Sequence, residues 1–168
     1  MENVTYSVLA TSLFGKVFVA STEKGVCMVD FRTSEKAFLK GLKECFPGKI
    51  VRDDRKNRDV SSQLERYLKG RLRRFDCPLD VRGTPFQKKV WSQLRKIPYG
   101  QTRSYKEIAQ AIGHPKAVRA VGNANGSNRV PLIIPCHRVI ETGGGLGGFG
   151  HGLKAKNQLL DFERAHAV

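Results

Sequence analysis

Three short runs open the chain, Val4 to Ala10, Gly15 to Ala20 and Val26 to Phe31, rich in β-forming residues and separated by turn residues. Runs of this length and spacing predict a β-meander. The period then changes. From Glu35 to Phe46 the residues Phe38, Leu42, Cys45 and Phe46 share one helical face, and Pro47-Gly48 stops the helix. Lys49 to Arg58 is charged and reads as an exposed segment. Ser62 with Glu65 fits a capping box for a second helix carrying Leu64, Tyr67 and Leu68, with Gly70 at its end. Asp76 to Arg82 reads as a linker. It divides the chain into an N-terminal α/β domain, residues 1–78, and a mostly helical domain, residues 84–168.

The second domain starts with strong helix signals. Thr84 is a natural N-cap, Pro85 takes the first helical position and Gln87 completes a capping box, while Phe86, Val90, Trp91, Leu94 and Ile97 form a buried stripe. Pro98-Tyr99-Gly100 ends that helix. Ser104 and Glu107 frame another, which runs to Ile112; Gly113-His114-Pro115 turns the chain into a third, from Lys116 to about Ala124. Two short helices joined by a glycine-containing turn predict a helix-turn-helix. A last helix, Leu153 to Arg164, carries Leu159, Leu160 and Phe162. The whole reads as an α/β (α+β) protein.

Charge narrows the class of partner. Lys and Arg number 30 against 15 Asp and Glu, a net +15 over 168 residues. A field of that strength favours polyanions, with anionic membrane surfaces as the competing partner. No apolar stretch is long enough to span a bilayer, and Met1-Glu2-Asn3 does not begin a signal peptide. The four cysteines, Cys27, Cys45, Cys77 and Cys136, form no C-x-x-C pair and no zinc pattern, and are expected as reduced thiols.

Only Cys136 has a chemical entourage. It lies in Pro135-Cys136-His137-Arg138, after Leu132-Ile133-Ile134, a run that reads as a buried strand. A basic neighbourhood stabilises a thiolate, so a lowered pKa is expected there. In an extended chain His137 faces away from the sulfur, and a bridging water is the simpler link. Glu163 is the natural acceptor to orient the imidazole. The third helix offers Ala117, Ala120, Gly122 and Ala124 with the single Arg119. Such a face suits either packing on a neighbouring helix or close approach to a minor groove, where an arginine can replace an extruded base. Gly145-x-Gly147-x-x-Gly150 matches a dinucleotide fingerprint only formally, because no βαβ unit follows it. It reads as a flexible loop that closes over a planar ligand.

Pro135-Cys136-His137-Arg138-Val139, preceded by Asn128-x-Val130-Pro131 and followed by Leu159-Leu160-x-x-Glu163, resembles the O6-alkylguanine-DNA alkyltransferases. Gly100-x-x-x-Ser104-Tyr105 and Arg119-Ala120-Val121-Gly122 also resemble that family, so the likeness runs from about Thr84 to the C-terminus. The first half is compatible with the family's small ribonuclease-H-like domain. The resemblance implies a single-turnover repair protein that moves an alkyl group from guanine O6 in duplex DNA, and O4-alkylthymine as a further substrate, to its own Cys136. His137 would act as base through water, Glu163 would hold it, and Tyr105 would donate toward guanine N3. Arg119 would fill the gap left by the flipped base, with Ala120, Gly122 and Ser104 on the DNA side. Asn128 would be the hinge. Val139, Phe149, Gly150 and Arg138 would complete the substrate and DNA contacts. The resemblance implies no cofactor and no metal, a monomer in the absence of DNA, no membrane partner, and a cytoplasmic location, or a nuclear one in a eukaryote. Three positions depart from the family pattern: Phe149 stands where a Tyr is frequent, His151 is bulkier than usual, and Arg129 replaces a Pro. A lesion-sensing DNA-binding module and a cysteine hydrolase are the competing readings. The first leaves the Cys-His-Glu set unexplained, the second the helix-turn-helix.

Overall fold

The computed structural model describes residues 2–167. They form two compact units that divide between Val81 and Arg82. In the first, β1 (Asn3–Thr11), β2 (Gly15–Thr22) and β3 (Gly25–Phe31) make the expected antiparallel meander. After α1 (Glu35–Cys45) the chain returns as β4 (Lys49–Arg52), parallel to β1, which gives the strand order β3-β2-β1-β4. A parallel neighbour needs a crossover, and α1 supplies it. The register of β2 against β3 shifts at Ala20/Ser21, leaving Cys27 as the extra residue of a bulge.

The four consecutive residues Val17, Phe18, Val19 and Ala20 are all buried, so β2 is covered on both faces. Phe18, Val4 and Tyr6 meet Phe38, Leu42 and Phe46 of the α1 segment, and the rings of Phe18 and Phe38 stack at 5.1 Å. Ser34 caps α1 by accepting from the Ala37 amide. Helix α2 (Arg58–Leu68) contributes buried Val60, Leu64 and Tyr67.

Two local expectations fail here, each for a physical reason, and one element was not foreseen. Lys49 to Arg58 is largely exposed, as expected, but its Lys49–Arg52 stretch is also a strand: its order comes from backbone pairing to β1, while only Ile50 packs against the core and Val51 is exposed. Periodicity carries no signal for an edge strand of that kind. Helix α2 begins after Asn57, so Ser62 lies inside it and caps nothing; the Asn57 amide instead donates to the Thr5 carbonyl. Residues 76–80 are not a free linker. Val26 N–H donates to Pro78 O, Asp80 N–H donates to Val26 O, and the Thr22 hydroxyl donates to the buried Asp80 carboxylate at 2.6 Å. Gly25 permits this approach: a Cβ there would lie 2.4 Å from Pro78 O.

The second unit contains α3 (Pro85–Leu94), β5 (Arg103–Ser104), α4 (Tyr105–Ala111), α5 (Val118–Gly126), β6 (Val139–Ile140) and α6 (Leu153–Ala165). Both capping boxes form, Thr84 with Gln87 and Ser104 with Glu107. Trp91 of α3 is buried and its indole N–H donates to Ala124 O at 2.8 Å, which pins the end of α5. Helices α4 and α5, joined through Gly113 at φ 80°, are the helix-turn-helix. The run Leu132-Ile133-Ile134 is buried but is not a strand. Ile134 N–H bonds back to Val130 O, Leu132 sits at φ 72°, and Cys136–Arg138 forms a 3₁₀ turn. A leucine held at positive φ is strained, and the surrounding packing must impose it. Among the described residues no helix is long and apolar enough to cross a membrane.

The α1 side of the sheet depends on one ring. Phe38→Ala removes a fully buried side chain, and a loss of about 3–5 kcal/mol is expected in urea unfolding followed by far-UV circular dichroism. A loss below about 1 kcal/mol would show that the site collapses around the cavity.

Candidate active site

A two-residue pairing brings the site together. Arg103 and Ser104 of β5 lie parallel to Val139 and Ile140 of β6, so the start of α4, and with it Tyr105, runs beside the cysteine segment. Ser104 is buried and its Oγ caps α4, which fixes the backbone from which Tyr105 projects.

Glu163 of α6 is fully buried and is the hub of the polar interior. Its Oε2 accepts from His137 Nε2 at 2.7 Å and Arg138 Nη2 at 2.9 Å. Its Oε1 accepts from Arg138 Nε at 2.8 Å and the Gly100 amide at 3.2 Å. These N–H donors hold the carboxyl far below the usual carboxylate range, although burial alone would raise it. The stabilisation it provides is therefore in place above the unfolded carboxylate pKa of about 4.3, and is withdrawn only as pH falls toward the folded value. Burial pushes the His137 pKa down, against the pull of Glu163, so the imidazole is neutral at pH 7. An ionised carboxylate can only accept, which makes Nε2 the protonated nitrogen and leaves the basic lone pair on Nδ1.

Cys136 is 5% exposed. Contrary to the expectation of a lowered pKa, burial pushes its thiol up. The Asn128 side chain, the Cys136 and His137 amides and the Lys156 charge pull in the other direction without prevailing. The backbone turns at Cys136, so its relation to His137 is not that of an extended chain. Asn128 clips the preceding turn: its Nδ2 donates to Ile134 O at 2.9 Å and its Oδ1 accepts from Val130 N–H at 2.9 Å. The Tyr105 phenol is pushed up by burial and by the neighbouring Cys136 and Glu141 charges, so it carries its proton.

The remaining expected residues separate into groups. Arg119 and Ala120 are exposed on α5, while Gly122 turns toward the Tyr105 ring, 3.9 Å from where its Cβ would lie. Half-buried Phe149, its ring 5.4 Å from that of His151, and exposed Gly150 lie on the glycine-rich loop. Val139 is buried, with its carbonyl occupied by Lys156. Arg138 is placed differently from the expectation of a DNA or substrate contact. It is buried, bonded to Glu163, and donates to Ile97 O at 2.8 Å. A guanidinium beside a buried carboxylate is held inside by the fork of bonds it makes.

Two residues were missed in the sequence. Lys156 is fully buried, and its ammonium donates to Val139 O at 2.6 Å and Gly148 O at 3.1 Å, tying the glycine-rich loop to β6. Burial lowers its pKa to about 8. Asn125 is buried at the end of α5 and donates to Cys136 O at 3.3 Å. Their polarity gave no cue, since both sit where an exposed residue reads equally well. The spacing of Lys156 with Ala155, Leu159 and Leu160 on the inner stripe of α6 was the one available signal. Gly147, at φ 69°, lets the loop lie against Tyr105: a Cβ there would be 2.8 Å from the phenol oxygen. Among the described residues no cluster of His, Cys, Asp or Glu could hold a metal ion.

A buried cysteine, a carboxylate-held histidine and a helix-turn-helix lie in one unit, the parts that covalent chemistry on a nucleic acid requires. Two family models cover the chain: the 6-O-methylguanine DNA methyltransferase ribonuclease-like domain over residues 4–81 and its DNA-binding domain over residues 85–165. A methylated-DNA–protein-cysteine methyltransferase of Methanosarcina acetivorans is 44% identical over 159 residues, covering 94% of this chain and 97% of the relative. An inducible one from Bacillus subtilis is 42% identical over 157 residues, covering 93% and 83%. The crystal structure of Mycobacterium tuberculosis OGT in complex with DNA matches with a TM-score of 0.85 at 37% identity, over 96% of this chain and 94% of that one. The chain belongs to the 6-O-methylguanine DNA methyltransferase family.

Glu163→Gln tests the hub. It deprives buried Arg138 of its counter-charge, and a loss of about 3–5 kcal/mol is expected in urea unfolding followed by Trp91 fluorescence. A change within about 1 kcal/mol would mean that Arg138 finds solvent or another partner.

Proposed function

We propose that this chain repairs DNA by direct reversal, moving the alkyl group of O6-alkylguanine onto Cys136 in a single, irreversible turnover. The observation that carries this reading is the 2.7 Å bond from His137 Nε2 to Glu163 next to a buried cysteine. It leaves the imidazole neutral, with its basic nitrogen available through a water to take the thiol proton. The sulfur then attacks the alkyl carbon. A carbon–sulfur bond forms, the carbon–O6 bond breaks, and the electron pair passes into the purine. Tyr105, still protonated, donates toward N3 as that charge develops, and the proton taken from the thiol ends on the restored base. No cofactor enters this balance, and every group comes from one chain, which supports action as a monomer.

A sulfur buried to this degree cannot reach a base inside the helix, so the nucleotide must be extruded. The exposed face of α5 suits that step: Ala120 lets the backbone approach the groove, and Arg119 is free to enter the vacated stack. Asn128 holds the turn that sets the cysteine, and Lys156 holds the loop carrying Phe149 and Gly150 as the wall of the base pocket. Methyl is the alkyl group named for the relatives, and O4-alkylthymine is a secondary substrate in this reading. The protein works where the DNA is, in the cytoplasm of a prokaryote or the nucleus of a eukaryote. The lesion-sensor alternative gives no use to Cys136 or to the Glu163 network.

Intact-protein mass after incubation with a duplex holding one O6-methylguanine is the direct test. One methyl gain per chain, mapped to the Cys136 peptide, is expected, with Cys136→Ala binding the duplex but gaining nothing. Tight lesion binding without any mass change would replace repair by sensing. The pH profile tests the base. Because the His137 pKa is lowered, the transfer rate should hold as pH falls from 8 to about 6.5 and decline only below the ordinary imidazole value. A half-maximal rate already at pH 7.5 would remove neutral His137 from the mechanism.

A further inference from the structure

The second unit holds more positive charge than the lesion site uses. Residues 82–168 carry 14 Lys and Arg against 4 Asp and Glu, a net +10. Lys156 and Arg138 are buried in the active site and Arg119 belongs to the face of α5. A separate concentration lies between α3 and α4. Two adjoining clefts, about 390 and 340 Å³, share Gln93, Lys96 and Ala111 and together form one trough. Lys88, Lys89 and Lys96 rim it, and Ile97, Ile108 and Ile112 contribute its apolar lining. Lys88, Ser92 and Lys96 follow one another at intervals of four residues, so they line one side of α3 and its C-terminal turn over about 12 Å.

These lysines are exposed, and among the described residues none of the three pairs with a carboxylate. The one acid in the trough, Glu107, has its Oε1 engaged by the Ser104 amide in the capping box. Arg103 at the other end is held by Thr102 O at 2.8 Å and Gln101 Oε1 at 3.3 Å. Lysines left without partners along one groove repel each other, and an anion of repeating charge relieves that repulsion. Neutral Ser92, Gln93 and Gln110 add hydrogen-bonding groups that suit phosphate oxygens and carry no sequence preference.

We propose that the α3–α4 trough is a second DNA-contact surface, which holds the phosphodiester backbone apart from the α5 face that reads the lesion. The proposal rests on DNA being the partner. On it, DNA binding involves more phosphates than the helix-turn-helix alone would engage, and part of the affinity is independent of any lesion.

The test measures binding of a lesion-free duplex between about 50 and 200 mM salt, where affinity falls with log salt at about 0.9 per phosphate contact. The triple variant Lys88→Gln, Lys89→Gln, Lys96→Gln is compared with a charge-matched control on α1, Lys36→Gln, Lys40→Gln, Lys43→Gln. The trough variant is expected to lower the slope by about 2–3 and to weaken binding roughly tenfold or more at low salt, with the control changed far less. Its rate of methyl transfer at saturating lesion duplex should equal that of the parent, since none of the three touches the reacting groups. An unchanged slope overturns the proposal and leaves the trough to an acidic protein partner. An equal fall in both variants also overturns it, because bulk charge is then responsible. Failure of the parent itself to bind DNA, or a flat salt dependence in the parent, would instead overturn the DNA reading on which the proposal stands.

Discussion

The second unit is organised around a carboxylate that is fully buried and ionised. Glu163 receives N–H bonds from His137, Arg138 and Gly100, which come from the 3₁₀ turn and from the segment after α3. An ion in a low-dielectric interior is tolerated only when its lone pairs are answered. Here the answering groups come from separate parts of the chain, so the ion also dictates where those parts meet. The same contacts set the chemistry. The negative charge orients His137 and fixes its tautomer, while Arg138 absorbs the rest of that charge and limits how far Glu163 can raise the imidazole pKa. Arg138 in this way adds to burial, the larger cause, in keeping the imidazole neutral, the form that can act as a base.

The raised thiol pKa is consistent with this arrangement. A permanent thiolate would react with any electrophile that reached it. In the proposed mechanism a buried thiol, with Asn128 and Lys156 placed to favour the anion only in part, would react only where the base relay and the substrate are both present. For a protein consumed by one turnover, that restraint matters more than resting reactivity. Lys156 links it to the loop, since the ammonium that bears on Cys136 also bonds the Gly148 carbonyl. The loop contact and part of the charge that favours the thiolate therefore rest on the same ammonium.

Much of the framework was legible in the sequence because it rests on local rules. The capping boxes at Thr84 and Ser104, the glycine turn at Gly113 and the apolar faces of α1, α3 and α6 each need only a few neighbouring residues. Glu163 was legible as the acceptor for His137, and the order of Cys136, His137 and Glu163 in the chain matched a known pattern. The failures are non-local. β4 exists because β1 offers an edge, and residues 76–80 are ordered by hydrogen bonds to β3 and Thr22. Leu132 takes a positive φ that no leucine would adopt without its surroundings. Arg138, Lys156 and Asn125 look like surface residues by type, and only the fold shows that each answers a buried acceptor.

The distribution of charge follows the same division between local and collective effects. The second unit needs its net positive charge to attract a polyanion, yet two of its cations are spent inside, on Glu163 and on backbone carbonyls. Those two are insulated from salt and act at fixed distances. The exposed ones act through a field that ionic strength screens within about 8–10 Å. Association with DNA should therefore be strongly salt-dependent, whereas the displacement step, confined to buried groups, should be nearly indifferent to salt. On the proposed mechanism, finding the lesion and reacting with it are thus separated, although both fall to a single unit of fewer than ninety residues.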